Sequence, residues 1–180
     1  FALAFCNDLN LDGYPDFAAS APNAGKVYVV LGGASETLLG PIPASGSISM
    51  VASVEIKADP ASGFGSAIAC GSDLNGDGAP DLLIGARQES LGRGAVHLFL
   101  GGSSGIVNFS AITARNPLIQ IDLISGAKSD LTISGANPVE NFGASLAMIG
   151  DVWNRSLLDA SRDFAVSATG IGNGAIYVFY

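Results

Sequence analysis

Apolar residues in this chain arrive in short bursts, mixed with small or polar ones and closed by glycine. "KVYVVL" (Lys26 to Leu31), "AVHLFL" (Ala95 to Leu100) and "AIYVFY" (Ala175 to Tyr180) are runs of β-formers only a few residues long. Such runs between glycine turns predict short strands, and no stretch keeps a helical period over a convincing length. Between them stand two nearly identical acidic loops, "DLNLDGYPDF" (Asp8 to Phe17) and "DLNGDGAPDL" (Asp73 to Leu82), each running directly into an apolar stretch.

The loops belong to a longer repeat. "FGSAIACGSD" (Phe64 to Asp73) leads into the second loop, and "FGASLAMIGD" (Phe142 to Asp151) is a further copy with Phe-Gly equally far from its aspartate. Related lead-ins come before, "ADPASGFG" at Ala58 to Gly65 and "ANPVENFG" at Ala136 to Gly143. After each loop follow an apolar strand, a small-residue turn (Ser20-Ala21-Pro22, Gly85-Ala86-Arg87, Ser167-Ala168-Thr169), a glycine and another strand. Each unit therefore predicts about four strands: "SAIACG", "DLLIGA", "AVHLFL" and a weaker outer one near "SVEIKA" or "DLTISG". A four-stranded unit repeated along an all-β chain is the signature of β-propeller blades. Phe64 and Phe142 are expected to fill gaps between blades.

The register sets expected boundaries: a first blade at 1–57, a second at 58–135 and a third at 136–180, all in one propeller domain. Phe1 aligns with Ser66 and Tyr180 with Leu100, so the first and third copies read as truncated. Three blades cannot close a ring that takes four to eight. The expectation is a segment of a larger propeller, with any targeting segment upstream of Phe1.

Composition narrows the function. Of 180 residues 48% are hydrophobic and 13% charged, and the 24 glycines break up every run that could span a membrane. A net charge of −8 argues against nucleic acid, which needs a basic footprint. Six of the acidic residues lie in the two loops, so the expected counter-charge is a bound cation. Cys6 and Cys70 fall near matching repeat positions and could be neighbours; the favoured reading is two buried, unbonded thiols. Sequons at Asn108 and Asn154 mark possible glycosylation in a eukaryotic secretory route. The single histidine, His97, sits in a strand pattern and reads as a satisfied strand residue. No nucleophile elbow, phosphate loop or Cys/His cluster is present, so no enzyme is expected.

In the first loop oxygen donors fall at positions 1, 3, 5 and 9, namely Asp8, Asn10, Asp12 and Asp16, with the Tyr14 carbonyl at position 7. The second loop supplies Asp73, Asn75, Asp77, the Ala79 carbonyl and Asp81. An all-oxygen set at alternate positions, with glycine at position 6, suits Ca²⁺ better than Mg²⁺ or zinc. It is not an EF-hand, because position 12 holds Ala19 or Ile84 in place of glutamate. The third loop, Asp151 to Asp163, is four residues longer, lacks that glycine and has gained Arg155 and Arg162. It is expected to be degenerate, with arginine pairing Asp151, Asp159 or Asp163.

The Phe-Gly pairs, the Gly-Ala-Arg type turns and the acidic loops together resemble the FG-GAP repeat of integrin α-subunit propeller heads and of many surface or secreted proteins. The resemblance covers nearly the whole chain. It implies a seven-bladed, calcium-stabilised, non-catalytic extracellular propeller that binds a protein or builds an assembly. It further implies binding through the face opposite the calcium loops, where the turns near Ala21 to Gly25, Arg87 to Arg93 and Ala168 to Gly174 lie. The alternatives are a lectin-like propeller and an accessory propeller of a secreted hydrolase. Against the lectin, Trp153 is the only tryptophan and no aromatic recurs per blade. Weak sites of this kind suit millimolar extracellular calcium.

Overall fold

The computed structural model describes residues 1–33, 47–112, 118–152, 162–170 and 172–180. The described residues form three β-sheets side by side. In the first, β1 (Leu3–Asn7), β2 (Asp16–Ala21), β3 (Lys26–Val30) and β4 (Val54–Lys57) meander antiparallel. The second is built the same way from β5 (Phe64–Ser72), β6 (Asp81–Ala86), β7 (Ala95–Phe99) and β9 (Leu131–Ser134). The third holds β10 (Phe142–Gly150), β11 (Asp163–Ala168) and β12 (Ala175–Phe179). The longest helical stretch among them is a four-residue turn at Glu89–Gly92.

Sequence periodicity did not foresee one strand. β8 (Ile119–Asp122) lies between β7 and β9 in the chain, yet it joins the first sheet, parallel to β4. The segment after β7 thus reaches back to the neighbouring sheet. Ile121 is buried against the core while Asp122 meets Lys57 at 3.4 Å and Gln120 meets Glu55 at 3.5 Å. "IQID" alternates as a strand should, but four residues inside a connection give a weak signal.

The second sheet is sandwiched. Every residue of β6 is buried, whereas burial alternates with partial exposure along β2. One core cluster joins the first two sheets through Val27, Ile56, Phe64 and Ile84; another joins the second and third through Leu83, Val96, Phe142 and Val166. Phe64 and Phe142 fill the spaces between sheets, as expected. The glycine after each explains the pairing. Gly65 and Gly143 both have φ +84, and a Cβ on Gly65 would stand 2.8 Å from Ser20 Cβ of the preceding sheet. A Cβ on Gly143 would meet the Ala95 carbonyl at 2.5 Å. Only glycine permits that backbone sign and that approach.

The reading of Cys6 and Cys70 as unbonded thiols is corrected. They form a disulfide between β1 and β5, with Cα atoms 4.7 Å apart. The bulge between Phe5 and Asn7 in β1 and that between Cys70 and Ser72 in β5 shift the local register. Beside the bridge, Asn7 donates to the Gly71 carbonyl at 2.8 Å. The two sheets are therefore clasped at β1–β5 by sulfur and at β4–β8 by a strand.

Candidate cation loops

The turn preceding each second strand is organised by its own carboxylates. In the first loop Asp8 accepts from the N–H groups of Asp12 (2.9 Å) and Gly13 (2.7 Å). Asp12 accepts from Tyr14 N–H at 2.9 Å and from the Asn10 amide at 3.0 Å. In the second loop Asp73 accepts from Gly76 and Gly78 N–H, and Asp77 accepts from Ala79 N–H and the Asn75 amide. The shared spacing of aspartate, asparagine and glycine produces one fold twice, because short carboxylates cap N–H groups two to five residues on.

The ninth-position aspartates do something different. Asp16 and Asp81 are fully buried. Asp16 accepts from Leu9 N–H and Gly32 N–H, both at 2.7 Å. Asp81 accepts from Leu74 N–H at 2.6 Å and Gly101 N–H at 2.9 Å. Each ties the loop to the glycine after the third strand of its sheet. Burial pushes both carboxyls up to about 6; their N–H bonds oppose this, and the neighbouring loop aspartates, Asp12 and Asp8 or Asp77 and Asp73, add to the rise.

Asn10 is buried, its amide lying 3.4 Å from the Ile112 carbonyl, and its Oδ1 has no hydrogen-bond partner. A carbonyl oxygen in that state costs free energy unless something electropositive meets it. Asn75 is exposed. Among the described residues, no three carboxylate, imidazole or thiol groups converge as an ion's ligands as they stand. The donor set is nonetheless all oxygen, and crowded carboxylates beside an orphaned carbonyl oxygen fit a hard cation.

Of the third loop, Trp153, Asn154, Arg155 and Asp159 lie outside the described residues. What is described repeats the latch: Val152 N–H donates to Asp163 at 2.9 Å, and Asp163 is buried. Arg162 lines a shallow cavity with Asp8 and Asp73, so it faces the first two loops.

Two further polar groups, Glu140 and Glu55, escaped the sequence reading, while His97 is the satisfied strand residue it was read as. Glu140 is buried, accepting from Asn137 N–H at 2.7 Å and from the Tyr177 hydroxyl at 2.6 Å. Those bonds, Tyr177 foremost, hold its carboxyl below the usual range. Glu55 is buried against Lys26 at 3.0 Å. His97 Nε2 meets Glu89 at 2.8 Å, its Nδ1 lies 3.3 Å from the Ser129 and Thr132 hydroxyls, and its ring packs edge-on to Phe64. Asn108 is exposed and caps the turn that follows through Ala111 N–H.

Two stretches, residues 1–30 and 64–99, match the family described as FG-GAP repeat. These segments are FG-GAP repeats. Relatives agree. The chain is 41% identical over 93 residues to "Integrin alpha pat-2" of Caenorhabditis briggsae, covering 47% of this chain and 7% of that protein. It is 36% identical over 100 residues to human "Integrin alpha-7" (56% and 8%) and 32% over 121 residues to Xenopus laevis "Integrin alpha-4" (64% and 9%). The chain thus spans less than a tenth of the length of these relatives. Within the FG-GAP segments, the sheets, the Phe-Gly approach and the acidic loops account for the repeat's recurring residues in physical terms. Among the described residues no helix is long and apolar enough to cross a membrane.

Proposed function

We propose that the three sheets are successive blades, divided near 1–57, 58–135 and 136–180, of a larger, seven-bladed propeller. Exposed apolar side chains on both flanking sheets support this. Leu3 and Phe5 are 71% and 63% exposed on one, Ile176 and Val178 75% and 48% on the other. Surface of that kind on a sheet face calls for a covering layer.

The first two loops hold Ca²⁺ through Asp8, Asn10, Asp12, Asp16 and the Tyr14 carbonyl, and through Asp73, Asn75, Asp77, Asp81 and the Ala79 carbonyl. The observation that carries this reading is the buried, unpartnered Oδ1 of Asn10 among three aspartates. The ion supplies positive charge that neutralises clustered carboxylates, while Asp16 and Asp81 position the loops against the strands. Arg162, which shares a cavity with Asp8 and Asp73, adds positive charge beside both of these loops.

The assembled domain is a non-catalytic, calcium-stabilised module that binds a protein partner on the cell surface or outside the cell. The likeness to integrin α chains supports it. The test is thermal unfolding with calcium and with a chelator: stabilisation by calcium that vanishes in Asp12→Ala/Asp77→Ala supports the reading. Identical melting under both conditions contradicts it.

A further inference from the structure

β8 is the last strand of the first sheet: one side pairs with β4, and among the described residues no strand pairs with the other. Unpaired N–H and C=O groups beside exposed apolar side chains are a template for another chain. Ile119 and Gln120 are exposed on β8. The strand carries no proline, and its one charged residue, Asp122, is engaged by Lys57. The edge therefore lacks the guards that sheets ordinarily carry.

A hollow of about 400 Å³ borders β8, lined by Ile106, Asn108, Ile112, Ile119 and Ile121. Asn108-Phe109-Ser110 is an acceptor sequence for an asparagine-linked glycan. Its placement suits that chemistry. Phe109 is fully buried in the core, which pins the turn Phe109–Ala111 while Asn108 and Ser110 stay exposed. The Asn108 Oδ1 accepts from Ala111 N–H at 3.1 Å, so the oxygen is held against the turn. Among the described residues nothing accepts from the Asn108 Nδ2. The cap therefore survives attachment of a sugar, which uses Nδ2 alone.

We propose that Asn108 carries an N-linked oligosaccharide whose first N-acetylglucosamine lies in this hollow and shields the open edge of β8. Attachment by the host transferase forms a bond from Nδ2 to the sugar C1 as the C1–O bond to a lipid diphosphate donor breaks. Nδ2 gives up one proton, and the lipid diphosphate leaves. The sugar offers a ring face and an acetyl methyl to Ile106, Ile112 and Ile119, while its hydroxyls stay in water. Its bulk excludes a second chain from β8 without a charge or a proline in the strand. The inference rests on the extracellular reading, with which the Cys6–Cys70 disulfide agrees, since donor and disulfide both belong to the secretory route.

The test sends the chain through the secretory route of a eukaryotic host behind a cleavable signal segment. Peptide mass spectrometry after enzymatic glycan release in heavy-oxygen water then maps Asn108. Secreted and cell-retained protein are both mapped, so poor secretion counts against the extracellular setting and the state of Asn108 decides this proposal. An occupied Asn108 is expected. Ser110→Ala removes the acceptor sequence but keeps the Asn108 cap, and it should abolish the modification. It should also speed hydrogen exchange at residues 119–122 on the order of tenfold, the scale that burying one sugar's apolar face supplies, and make the chain self-associate on concentration. Protein trimmed to a single N-acetylglucosamine should behave as the untrimmed form. An unmodified Asn108 overturns the proposal. So does an occupied Asn108 whose loss leaves exchange and association unchanged, or a trimmed form that behaves like Ser110→Ala.

Discussion

The N–H of Leu9 donates to the buried carboxylate of Asp16 at 2.7 Å. The same bond joins Leu74 to Asp81 at 2.6 Å and Val152 to Asp163 at 2.9 Å. The aspartate that opens the second strand thus closes its loop in all three copies, including the third, whose sequence has lost the rest of the pattern. Replacing Asp81 by alanine strands two N–H groups, that of half-buried Leu74 and that of buried Gly101. A loss of about 2–4 kcal/mol is expected in urea unfolding. It should persist in chelator, because the latch does not need an ion; a loss seen in calcium alone would show the residue to be merely a ligand.

The Cys6–Cys70 bridge closes a sequence separation of 64 residues. Chain-entropy arguments place the cost of removing such a bridge at about 4 kcal/mol. The Cys6→Ala/Cys70→Ala pair should lower the denaturant midpoint accordingly. Mass spectrometry of the unreduced chain after alkylation should show no modified cysteine.

Gly143 tests the reason for the Phe-Gly pairs. Alanine there meets both the positive φ and the Ala95 carbonyl of the neighbouring sheet. A destabilisation of roughly 2–3 kcal/mol is expected from the combined backbone strain and crowding. Gly13 is the control for strain alone, since a Cβ there meets nothing within 4 Å although its φ is +91. Its alanine variant should cost less by thermal unfolding.

Glu140 gives the stability an acid dependence. Its carboxyl is held below its ordinary 4.5, first by the Tyr177 hydroxyl and then by the Asn137 N–H. A carboxyl depressed in the folded state adds stability above its unfolded pKa and loses it as pH falls through the lower folded value. Tyr177→Phe should therefore destabilise the chain at neutral pH, and the gap from the parent should narrow below about pH 4. Melting curves across that range read it directly; a gap that stays constant down to pH 3 speaks against the bond.

Much of the fold was legible in the residues because repetition multiplies weak signals. One "DLLIGA" is ambiguous, but three strands in equal register after three aspartates are not, and the outer strands near "SVEIKA" and "DLTISG" stand where the pattern put them. Phe64 and Phe142 pack between sheets for the reason their spacing implied. β8 was hidden because it occurs once, in a connection, and answers to a partner strand far away in sequence. The disulfide was hidden for a related reason: Cys6 and Cys70 are offset by one repeat position, and only the bulges of β1 and β5 bring them together. Loop chemistry was legible as an oxygen pattern. The double duty of Asp16 and Asp81 was not, since their N–H donors Gly32 and Gly101 come from beyond the following strand.

The central claim concerns the two acidic loops, and calcium stoichiometry tests it most directly. Equilibrium dialysis of the chain against radioactive calcium at millimolar concentration should give two ions per chain, falling to one in Asp12→Ala and in Asp77→Ala and to none in the double variant. Binding should stabilise the fold by about 2.7 kcal/mol per site when free calcium exceeds Kd a hundredfold. No bound calcium, or three ions per chain, would contradict the account.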